Sequence, residues 1–371
     1  MSYYALLVLL LRASGSQAVA LSIIAQNLPS IVLARYLVTL VPRQYGIVGV
    51  AAGNVLQTAA LLWLLHDTTE QRILLYMIVT AVVGAYSQPT LQSKLGEWVA
   101  AESMRVVRTR INGLIAAMGA FAPATGGFVA NIITLPGLLW VDVVVLLFCI
   151  PIMLTVDRWY GEDRPHTRAS PSAIETQKRK ATYRRLIEKP LRSPVTLWAG
   201  LLALGATLNT LEFTVFEINN MSPLFIGLSM GAWGLGGLVA FGSVSFPRVL
   251  KISALSLAVT EAICLSAFTT SNDAWLMVVS LGVAGFANAL LVGRLQTDIQ
   301  HAIPQEIDDR SIWAALHQIM NALNLGFAAI FWFALSAIEH QRVAYSLVVA
   351  SVAFAVLMFA FRDRLGSNKA R

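Results

Sequence analysis

The sequence predicts an all-α protein that crosses a membrane many times and consists of two pseudo-symmetric bundles of six helices. Three observations support this prediction. Hydrophobic residues make up 57% of the 371 residues and charged residues only 13%, and the mean hydropathy is +0.67. Long apolar runs follow one another along the chain, and its two halves repeat each other at an offset of about 205 residues.

The apolar runs have the length and pattern of membrane-spanning helices. A helix rises 1.5 Å per residue, so about 20 residues cross about 30 Å of hydrocarbon. The runs are continuously apolar and do not alternate every second residue, which favours helices over a β-barrel. Eleven runs meet the length, at about residues 16–36, 46–65, 72–93, 110–132, 137–156, 194–216, 222–245, 252–271, 274–293, 311–336 and 343–361.

Short polar segments mark the internal repeat. Pro42-Arg43 returns as Pro247-Arg248, and Leu91-Gln92-Ser93 returns as Leu295-Gln296-Thr297. Arg105 returns as Arg310. A duplicated membrane bundle is the usual build of secondary transporters, whose substrate site lies between the repeats. The predicted organisation is an N-terminal bundle at 1–156, a linker at 157–193, a C-terminal bundle at 194–362 and a basic tail at 363–371.

The repeat also predicts an incomplete first helix. The equivalent of 194–216 lies at about −11 to 11, and the apolar segment 3–11 alone is too short to cross a bilayer. We therefore expect residues 3–11 to be the outer half of a helix whose inner half is absent. Either a misassigned start codon or a natural truncation would account for the missing inner half.

Positive charge lies mainly on one predicted side of the membrane. If 157–193 is cytoplasmic, 24 of the 27 Lys and Arg residues are cytoplasmic, the exceptions being Arg12, Arg72 and Arg342. This is the positive-inside pattern, and it predicts a cytoplasmic linker and C-terminus. The net charge of +7 is therefore a topology signal and gives no reason to expect nucleic acid. The two cysteines both fall within spans, so we expect no disulfide or metal framework. We also expect no cofactor.

Three segments resemble the major facilitator superfamily, in particular its bacterial drug and siderophore exporters, the macrolide-efflux and enterobactin-exporter-like proteins. They are Asn27-Leu28-Pro29, Pro123-Ala124-Thr125-Gly126-Gly127, and the stretch from Leu295-Gln296 through Ile303-Pro304-Gln305-Glu306 to Arg310. The resemblance covers nearly the whole chain. It implies a monomeric transporter in the bacterial inner membrane.

The segment around residue 123 resembles the antiporter motif of that family, with Ala122 at the position of a glycine before Pro123, Gly126 and Gly127. Proline removes one helix hydrogen bond, and glycines allow close backbone approach. The span 222–245 is also rich in glycine. The two helices are therefore expected to form a tight seam, although generic packing of small residues is an equal alternative.

The loop between the second and third family helices departs from the family pattern. Val38 stands where the family has glycine and Pro42 where it has aspartate, so only Arg43 is kept. The loop of the second half keeps Arg248 and also lacks an aspartate. The resemblance implies that this carboxylate latches the inner face. Its absence leads us to expect a weakened gating latch.

At the predicted outer face, the offset of 205 residues makes Arg12 the repeat equivalent of Glu217. The two residues either form an ion pair that closes the outer mouth or remain two separately hydrated charges.

Two ionisable side chains within predicted spans are candidates for proton coupling. An ionisable group in a membrane costs free energy unless it is paired or hydrated, so Glu212 and His317 are functional candidates. A structural role near the outer interface is the alternative for Glu212. His317, Asn321 and Asn324 recur on one helical face, with Gln318 beside them. They line a wet cavity or bind a neighbouring helix, and we favour the cavity.

Other candidates for the substrate cavity come from the remaining helices that line it in the resembled family. They are Tyr86, Gln88, Asn209, Phe213 and Asn288. Glu261 lies in a predicted peripheral span, and we interpret it as structural.

The predicted function is secondary active transport, and no sequence motif indicates an enzyme or a nucleotide-driven pump. We expect proton-coupled efflux of a medium-sized amphipathic compound, such as an antibiotic, a siderophore or a toxic peptide. The expected partners are the lipid bilayer, the small-molecule substrate and protons. Two alternatives are a flippase for lysophospholipids or similar lipids, and a transport-inactive relative that acts as a sensor or binds a partner.

Overall fold

Helices are the only regular secondary structure in the part that the computed structural model describes, which comprises residues 6, 22, 24–130, 135–161, 186–304 and 308–366, and Arg43–Tyr45 form a short 3-10 helix. Side chains at 119–130, 135, 161, 213, 223, 336 and 362–366 are outside this description. The helices are α1 (24–40), α2 (Gly46–His66), α3 (Glu70–Trp98), α4 (Met104–Ala130), α5 (Leu135–Gly161), α6 (Arg192–Ile218), α7 (Pro223–Ser243), α8 (Pro247–Leu250), α9 (Ala254–Thr270), α10 (Ala274–Ala302), α11 (Asp309–Ala337) and α12 (His340–Gly366).

Most of these helices are built to cross a membrane. Among the residues described, eight helices are long and apolar enough to span a bilayer, and α9 is a shorter apolar helix. Large apolar side chains point outward along them. On α5, Val144, Phe148 and Ile152 are 47%, 66% and 59% exposed, one turn apart on the same face. A face of this kind is stable only against lipid. The prediction of an all-α polytopic membrane protein is confirmed.

Polar residues at the helix starts define where several helices begin. The hydroxyl of Ser253 accepts a hydrogen bond from the Ser256 amide at the start of α9 (2.9 Å). The carboxylate of Asp273 accepts from the amides of Trp275 and Leu276 at the start of α10 (2.8 and 3.1 Å). These bonds satisfy amides that have no partner within the helix. The predicted span boundaries at 252 and 274 therefore lie within two residues of the observed helix starts.

The chain groups into two compact units that each combine segments distant in sequence. Unit 1 comprises Met1–Ala100, Thr125–Glu188 and Ile303–Leu325. In it, α2 packs against α3 and α5. One of its buried clusters contains Leu61, Leu64, Ile73, Met77, Leu139 and Val143. A second cluster joins Val38, Val50 and Tyr86 to Ala314, at the start of α11.

Unit 2 comprises Ala101–Ala124, Lys189–Ala302 and Gly326–Arg371. In it, α10 packs against α6, α7 and α9, and α12 packs against α6 and α9. The rings of Phe216 and Phe268 meet edge to face at 5.5 Å between α6 and α9. The predicted division into bundles at 1–156 and 194–362 stays a prediction.

Candidate gating and coupling sites

Arg43, which follows α1, forms ion pairs with carboxylates from two other elements of unit 1. Its guanidinium donates to the Glu97 carboxylate at the end of α3, with Nε 2.8 Å from Oε1. It also lies 3.3 Å from the Asp309 carboxylate, in the first turn of α11, and 3.9 Å from that of Asp308. The planar guanidinium has five donors in a fixed fork, which suits it to several carboxylates at once.

A second cation, Lys94, shares the Glu97 carboxylate with Arg43. The ammonium of Lys94, one turn before Glu97 on α3, lies 3.0 Å from Glu97 and 3.3 Å from Asp157 on α5. Lys94 is only 8% exposed. Because both cations contact Glu97, the charges form one network. We name this set the Arg43 cluster, which consists of Arg43, Lys94, Glu97, Asp157, Asp308, Asp309 and Arg310.

The start of α11 is fixed in the Arg43 cluster by its own acidic residues. Asp309 is fully buried and accepts a hydrogen bond from the Ser93 hydroxyl (2.6 Å). The Asp308 carboxylate accepts from the Arg310 amide (3.2 Å), which satisfies a free amide of the first turn. The Arg310 guanidinium donates to the Val41 carbonyl at the end of α1 (3.0 Å). Negative charge is favourable at a helix N-terminus and positive charge at a C-terminus, so each group stabilises the helix end that it meets.

Arg43 thus has acidic partners although Pro42 stands where the resembled family has aspartate. The partners come from α3 and α11, and not from the loop itself. Val38, at the glycine position of the pattern, is 1% exposed and packs in the cluster that includes Ala314. The expectation of a weakened latch rested on the loop alone, and the acidic partners remove that reason.

The other predicted gating residues have different surroundings. Arg248, the repeat equivalent of Arg43, lies on the short α8 and is exposed. Glu217 is exposed near the end of α6. Arg12 lies outside the described residues, so the pairing of Arg12 with Glu217 stays a prediction.

The repeat equivalent of the α11 start is the start of α4, in unit 2. Arg108 is 1% exposed and donates to the Gln300 side chain on α10 (3.1 Å). Asn112 donates to the Gln296 side chain (2.9 Å). Arg110 donates to the Ser245 hydroxyl (3.0 Å), and its guanidinium lies 5.7 Å from the centre of the Phe241 ring. We name Arg108, Arg110, Asn112, Gln296 and Gln300 the Arg108 cluster.

Arg105 lies beside the Arg108 cluster at the start of α4. Burial and the nearby charge of Arg294 lower its pKa to about 10, and Asp298 opposes this shift. The guanidinium remains protonated at neutral pH. The first turn of α4 has no acidic residue, whereas that of α11 has Asp309.

Helices α4 and α7 approach closely in unit 2, as the predicted seam requires. A Cβ atom at Gly113 would overlap the carbonyl oxygen of Gly237. A Cβ atom at Gly237 would lie 2.8 Å from the Ala116 Cβ and 2.9 Å from the Gly113 carbonyl oxygen. Only glycine allows the backbones to come this close. The antiporter-like residues Ala122, Pro123, Gly126 and Gly127 fall further along α4, and their side chains lie outside the description.

The two proton-coupling candidates lie in different units. Glu212, on α6, is partly exposed and has neither a hydrogen bond nor an ion pair with any described residue. His317 lies on the first part of α11, and its Nε2 atom is buried without a hydrogen-bond partner among the residues described. Their roles stay predictions.

Several cavity candidates are held by hydrogen bonds. The Tyr86 hydroxyl donates to the Gly46 carbonyl (3.0 Å), and the Gln318 amide donates to the Ile31 carbonyl. Asn321 donates to the His317 carbonyl, one turn earlier on the same helix (2.7 Å). Asn288 donates to Glu261 (2.8 Å).

The remaining cavity candidates are not held in this way. Gln88 and Asn209 are exposed, and Asn324 is partly exposed. The side chain of Phe213 lies outside the description. Binding of substrate by any of the eight cavity candidates stays a prediction.

Sequence reasoning missed the acidic members of the Arg43 cluster. Glu97 is separated from Arg43 by 54 residues, so the spacing gave no indication of contact. The one available signal was the segment ending in Asp308-Asp309-Arg310. Two acidic residues directly before an apolar run are typical of a helix start.

Comparison with known proteins agrees with this architecture. The family model described as Major Facilitator Superfamily matches residues 12–323. No curated protein gives a significant match. The fold resembles that of the human organic anion transporter MFSD10 (TETRAN), with a TM-score of 0.67 at 12% identity, over 91% of this chain and 83% of that one.

Two bacterial structures are also similar. A bacterial homologue of the iron transporter ferroportin, in its outward-facing state, gives a TM-score of 0.65 at 16% identity, over 96% of this chain and 93% of that one. The E. coli fucose:proton symporter FucP gives a TM-score of 0.64 at 12% identity, over 98% of this chain and 94% of that one. At these identities the likeness establishes the fold alone. The family match covers most of the sequence. The chain therefore belongs to the Major Facilitator Superfamily, and it is an integral membrane transporter of small molecules and not an enzyme.

Proposed function

We propose that this protein exports a medium-sized amphipathic compound from the bacterial cytoplasm in exchange for protons, with the Arg43 cluster as its cytoplasmic gate. The observation that carries the proposal is the cluster itself. It joins the loop after α1 and the end of α3, from the first sequence repeat, to the start of α11, from the second. Alternating access requires a contact between repeats that forms in one state and breaks in the other.

The charges of the cluster suit such a contact. The side chains of Arg43, Glu97 and Asp308 are 25%, 30% and 23% exposed, so water reaches them and can replace their partners when the contact opens. Asp309 is fully buried and bonded to Ser93, which favours the closed arrangement. Opening therefore exchanges ion pairs for hydration, at a modest cost in free energy.

Glu212 is our candidate for the residue that couples export to protons, and His317 is the second. Neither the Glu212 carboxylate nor His317 Nε2 has a hydrogen-bond partner among the described residues. An unpaired charge in a membrane helix is costly, and binding or losing a proton relieves it. Protonation would then shift the balance between the outward-open and inward-open states.

The proposed orientation, with the linker and C-terminus in the cytoplasm, rests on the positive-inside pattern. The proposed substrate class rests on the resemblance to drug and siderophore exporters and on candidate cavity residues that mix aromatic and amide groups without a dominant charge. We propose that the protein acts as a monomer in the inner membrane. Acidic partners for Arg43 remove one reason to expect a transport-inactive relative.

Purified protein in proteoliposomes tests the proposal. We expect an imposed pH gradient to drive accumulation of at least one compound from a panel of antibiotics, siderophores and amphipathic peptides. Glu212→Gln should abolish this accumulation and leave the protein folded. The gate is tested by Arg43→Glu, which should stop transport, and by the charge swap Arg43→Glu with Glu97→Arg, which should restore part of it.

Three results would contradict the proposal. Full gradient-driven activity in Glu212→Gln, together with full activity in a His317→Gln variant, would remove both coupling candidates. Full activity in Arg43→Glu would remove the gate. Transport of lysophospholipids, tested beside the panel, without transport of any panel compound would support a flippase instead.

A further inference from the structure

We infer that Glu261, hydrogen-bonded to Asn288, is a further proton-binding site of this transporter and exchanges a proton during the transport cycle. This inference rests on the proposed proton coupling and adds a residue that the sequence led us to regard as structural. It assigns a role to a buried carboxyl group of unit 2 that neither the gate nor Glu212 explains.

The burial of Glu261 is nearly complete, since it is 1% exposed in the middle of α9. The buried face of α9 around it is apolar, with Leu257 and Ala258 one turn before it and Leu265 one turn after it. On α10, Ala284, Ala287 and Leu291 are buried near the position of Asn288. A carboxylate in these surroundings lacks both water and a counter-charge, so its neutral form is favoured.

The two oxygen atoms of Glu261 differ in their contacts. Oε1 accepts a hydrogen bond from the Asn288 amide at 2.8 Å. Oε2 is buried and has no hydrogen-bond partner among the residues described. A structural carboxyl group in a membrane helix would normally have both oxygens bonded. Asn288 thus holds one oxygen and leaves the other available to form and break an O–H bond.

No cation in the described part of unit 2 neutralises Glu261. On α10 the nearest charged residue is Arg294, six residues beyond Asn288 and therefore about 9 Å further along the helix. Its guanidinium donates to the Ile252 carbonyl (3.0 Å). Asp298 and His301 are further along α10. Cys264, one turn away on α9, is the other titratable side chain of that helix.

Helix α12 also packs against α9, and its charged and titratable side chains lie towards its ends. His340, Arg342 and Tyr345 are exposed at its start, and Arg342 pairs with Glu339 (3.3 Å). The side chains at 362–364 are outside the description.

Helix α6 meets α9 at the ring contact of Phe216 with Phe268, and its charged side chains are the exposed Arg192 at its start and the carboxyl groups of Glu212 and Glu217. The proton is therefore the only positive charge that the described surroundings leave for the carboxylate. Uptake forms the O–H bond at Oε2 with a proton from water, and release returns the proton to water and restores the carboxylate.

Two measurements test whether Glu261 binds a proton. In infrared difference spectra recorded while the pH is raised, we expect a protonated-carboxyl band that disappears in wild type and is missing in Glu261→Gln. Glutamine keeps the shape and the hydrogen bond acceptor of the side chain. In wild type, a membrane-permeant carbodiimide, which reacts with protonated carboxyl groups, should modify Glu261, and mass spectrometry should show less labelling at higher pH. This second measurement needs no variant, so it decides the question even if Glu261→Gln does not fold.

Transport assays test whether the proton site takes part in the cycle. In Glu261→Gln we expect the pH gradient to drive no accumulation, so the internal and external substrate concentrations become about equal. Exchange of labelled for unlabelled substrate without a gradient should persist. Glu102→Gln, which changes an exposed carboxyl group in the turn before α4, is the matched control and should accumulate substrate like wild type.

The outcomes separate this inference from the proposed function. Unchanged gradient-driven accumulation in Glu261→Gln, or a titrating band and carbodiimide labelling that both exclude Glu261, would overturn the inference and leave the proposed function intact. Absence of gradient-driven transport in wild type would overturn the proposed function. In that case the infrared and labelling results would still establish or refute proton binding at Glu261.

Discussion

The starts of α11 and α4 are equivalent in the sequence repeat, since Arg310 corresponds to Arg105, yet different forces hold them. The α11 start lies in the Arg43 cluster, where carboxylates meet arginine and lysine side chains. The α4 start lies beside the Arg108 cluster, where the hydrogen bonds described go to amide and hydroxyl groups, and the Asp298 carboxylate acts on the neighbouring charge of Arg105. Further along α4, Gly113 also contacts the backbone of α7 at Gly237.

This difference indicates which of the two contacts separates during the transport cycle. Water can solvate the separated charges of an ion pair, so a partly exposed ionic contact can break and re-form at small net cost. Water cannot replace the dispersion attraction between two glycine-packed backbones once they have separated. We therefore interpret the Arg43 cluster as the movable contact and the α4–α7 seam as a fixed one.

The largest expected effect is that of Arg43→Ala. It removes the cation that lies 3.3 Å from buried Asp309, and removing one partner of a buried ion pair costs about 3 kcal/mol. We expect thermal unfolding in detergent to begin at a clearly lower temperature, and gradient-driven transport to be lost. Arg248→Ala is the control, because Arg248 is the exposed repeat equivalent and should change stability by less than about 0.5 kcal/mol. Equal effects of the two variants would contradict the proposed asymmetry.

Ser93 and Thr297 offer a second comparison between repeat equivalents. Ser93 donates to the buried Asp309 carboxylate (2.6 Å), whereas Thr297 donates to the Gly293 carbonyl of its own helix (2.7 Å). A hydrogen bond to a charged group contributes about 1.5–3 kcal/mol, and a neutral one about 1 kcal/mol. Ser93→Ala should therefore lower the free energy of unfolding more than the isosteric Thr297→Val. A larger loss in Thr297→Val would show that charge does not dominate the α11 contact.

The glycine seam is tested by a matched pair on α7. At Gly237 an added Cβ atom would crowd Ala116 and Gly113, whereas at Gly231 it would meet open space. Gly237→Ala should lower the free energy of unfolding by about 1–3 kcal/mol, the usual cost of overpacking. Gly231→Ala should be neutral or slightly stabilising, because alanine favours helix. Equal melting temperatures of the two variants would show that the seam is not tightly packed.

The smallest expected effect is that of Arg110→Ala. Arg110 is exposed, and its bond to Ser245 and its contact with the Phe241 ring compete with water. Its removal should change stability by less than about 1 kcal/mol. Transport at saturating substrate should remain at the wild-type rate. A loss of transport without a loss of stability would show that the Arg108 cluster also moves during the cycle.

The sequence predicted most of the fold because the hydrocarbon thickness imposes a length on each apolar run. The run at 274–293 predicted α10, yet the helix continues to Ala302. Hydropathy detects only the apolar part of a helix. The polar end continues because Gln296 and Gln300 bind side chains on α4.

The candidate site was less predictable, because its contacts join residues distant in sequence. The loop pattern identified Arg43, but Glu97 and Asp309 reach it only through the packing of α3 and α11. Asn288 was predicted as a cavity residue and Glu261 as structural, and no spacing rule indicated that the two form a hydrogen bond. Sequence patterns identify polar groups within spans, but the partner of each group is determined by tertiary packing.

The bond from Arg310 to the Val41 carbonyl has a consequence for the backbone of α1. The last carbonyls of a helix have no partner within it, and here the start of another helix supplies one. When α11 moves away, the final turn of α1 loses this donor and unwinds more readily. Hydrogen–deuterium exchange at the amides of residues 38–41 will then report the open state, with faster exchange in Arg310→Ala than in wild type.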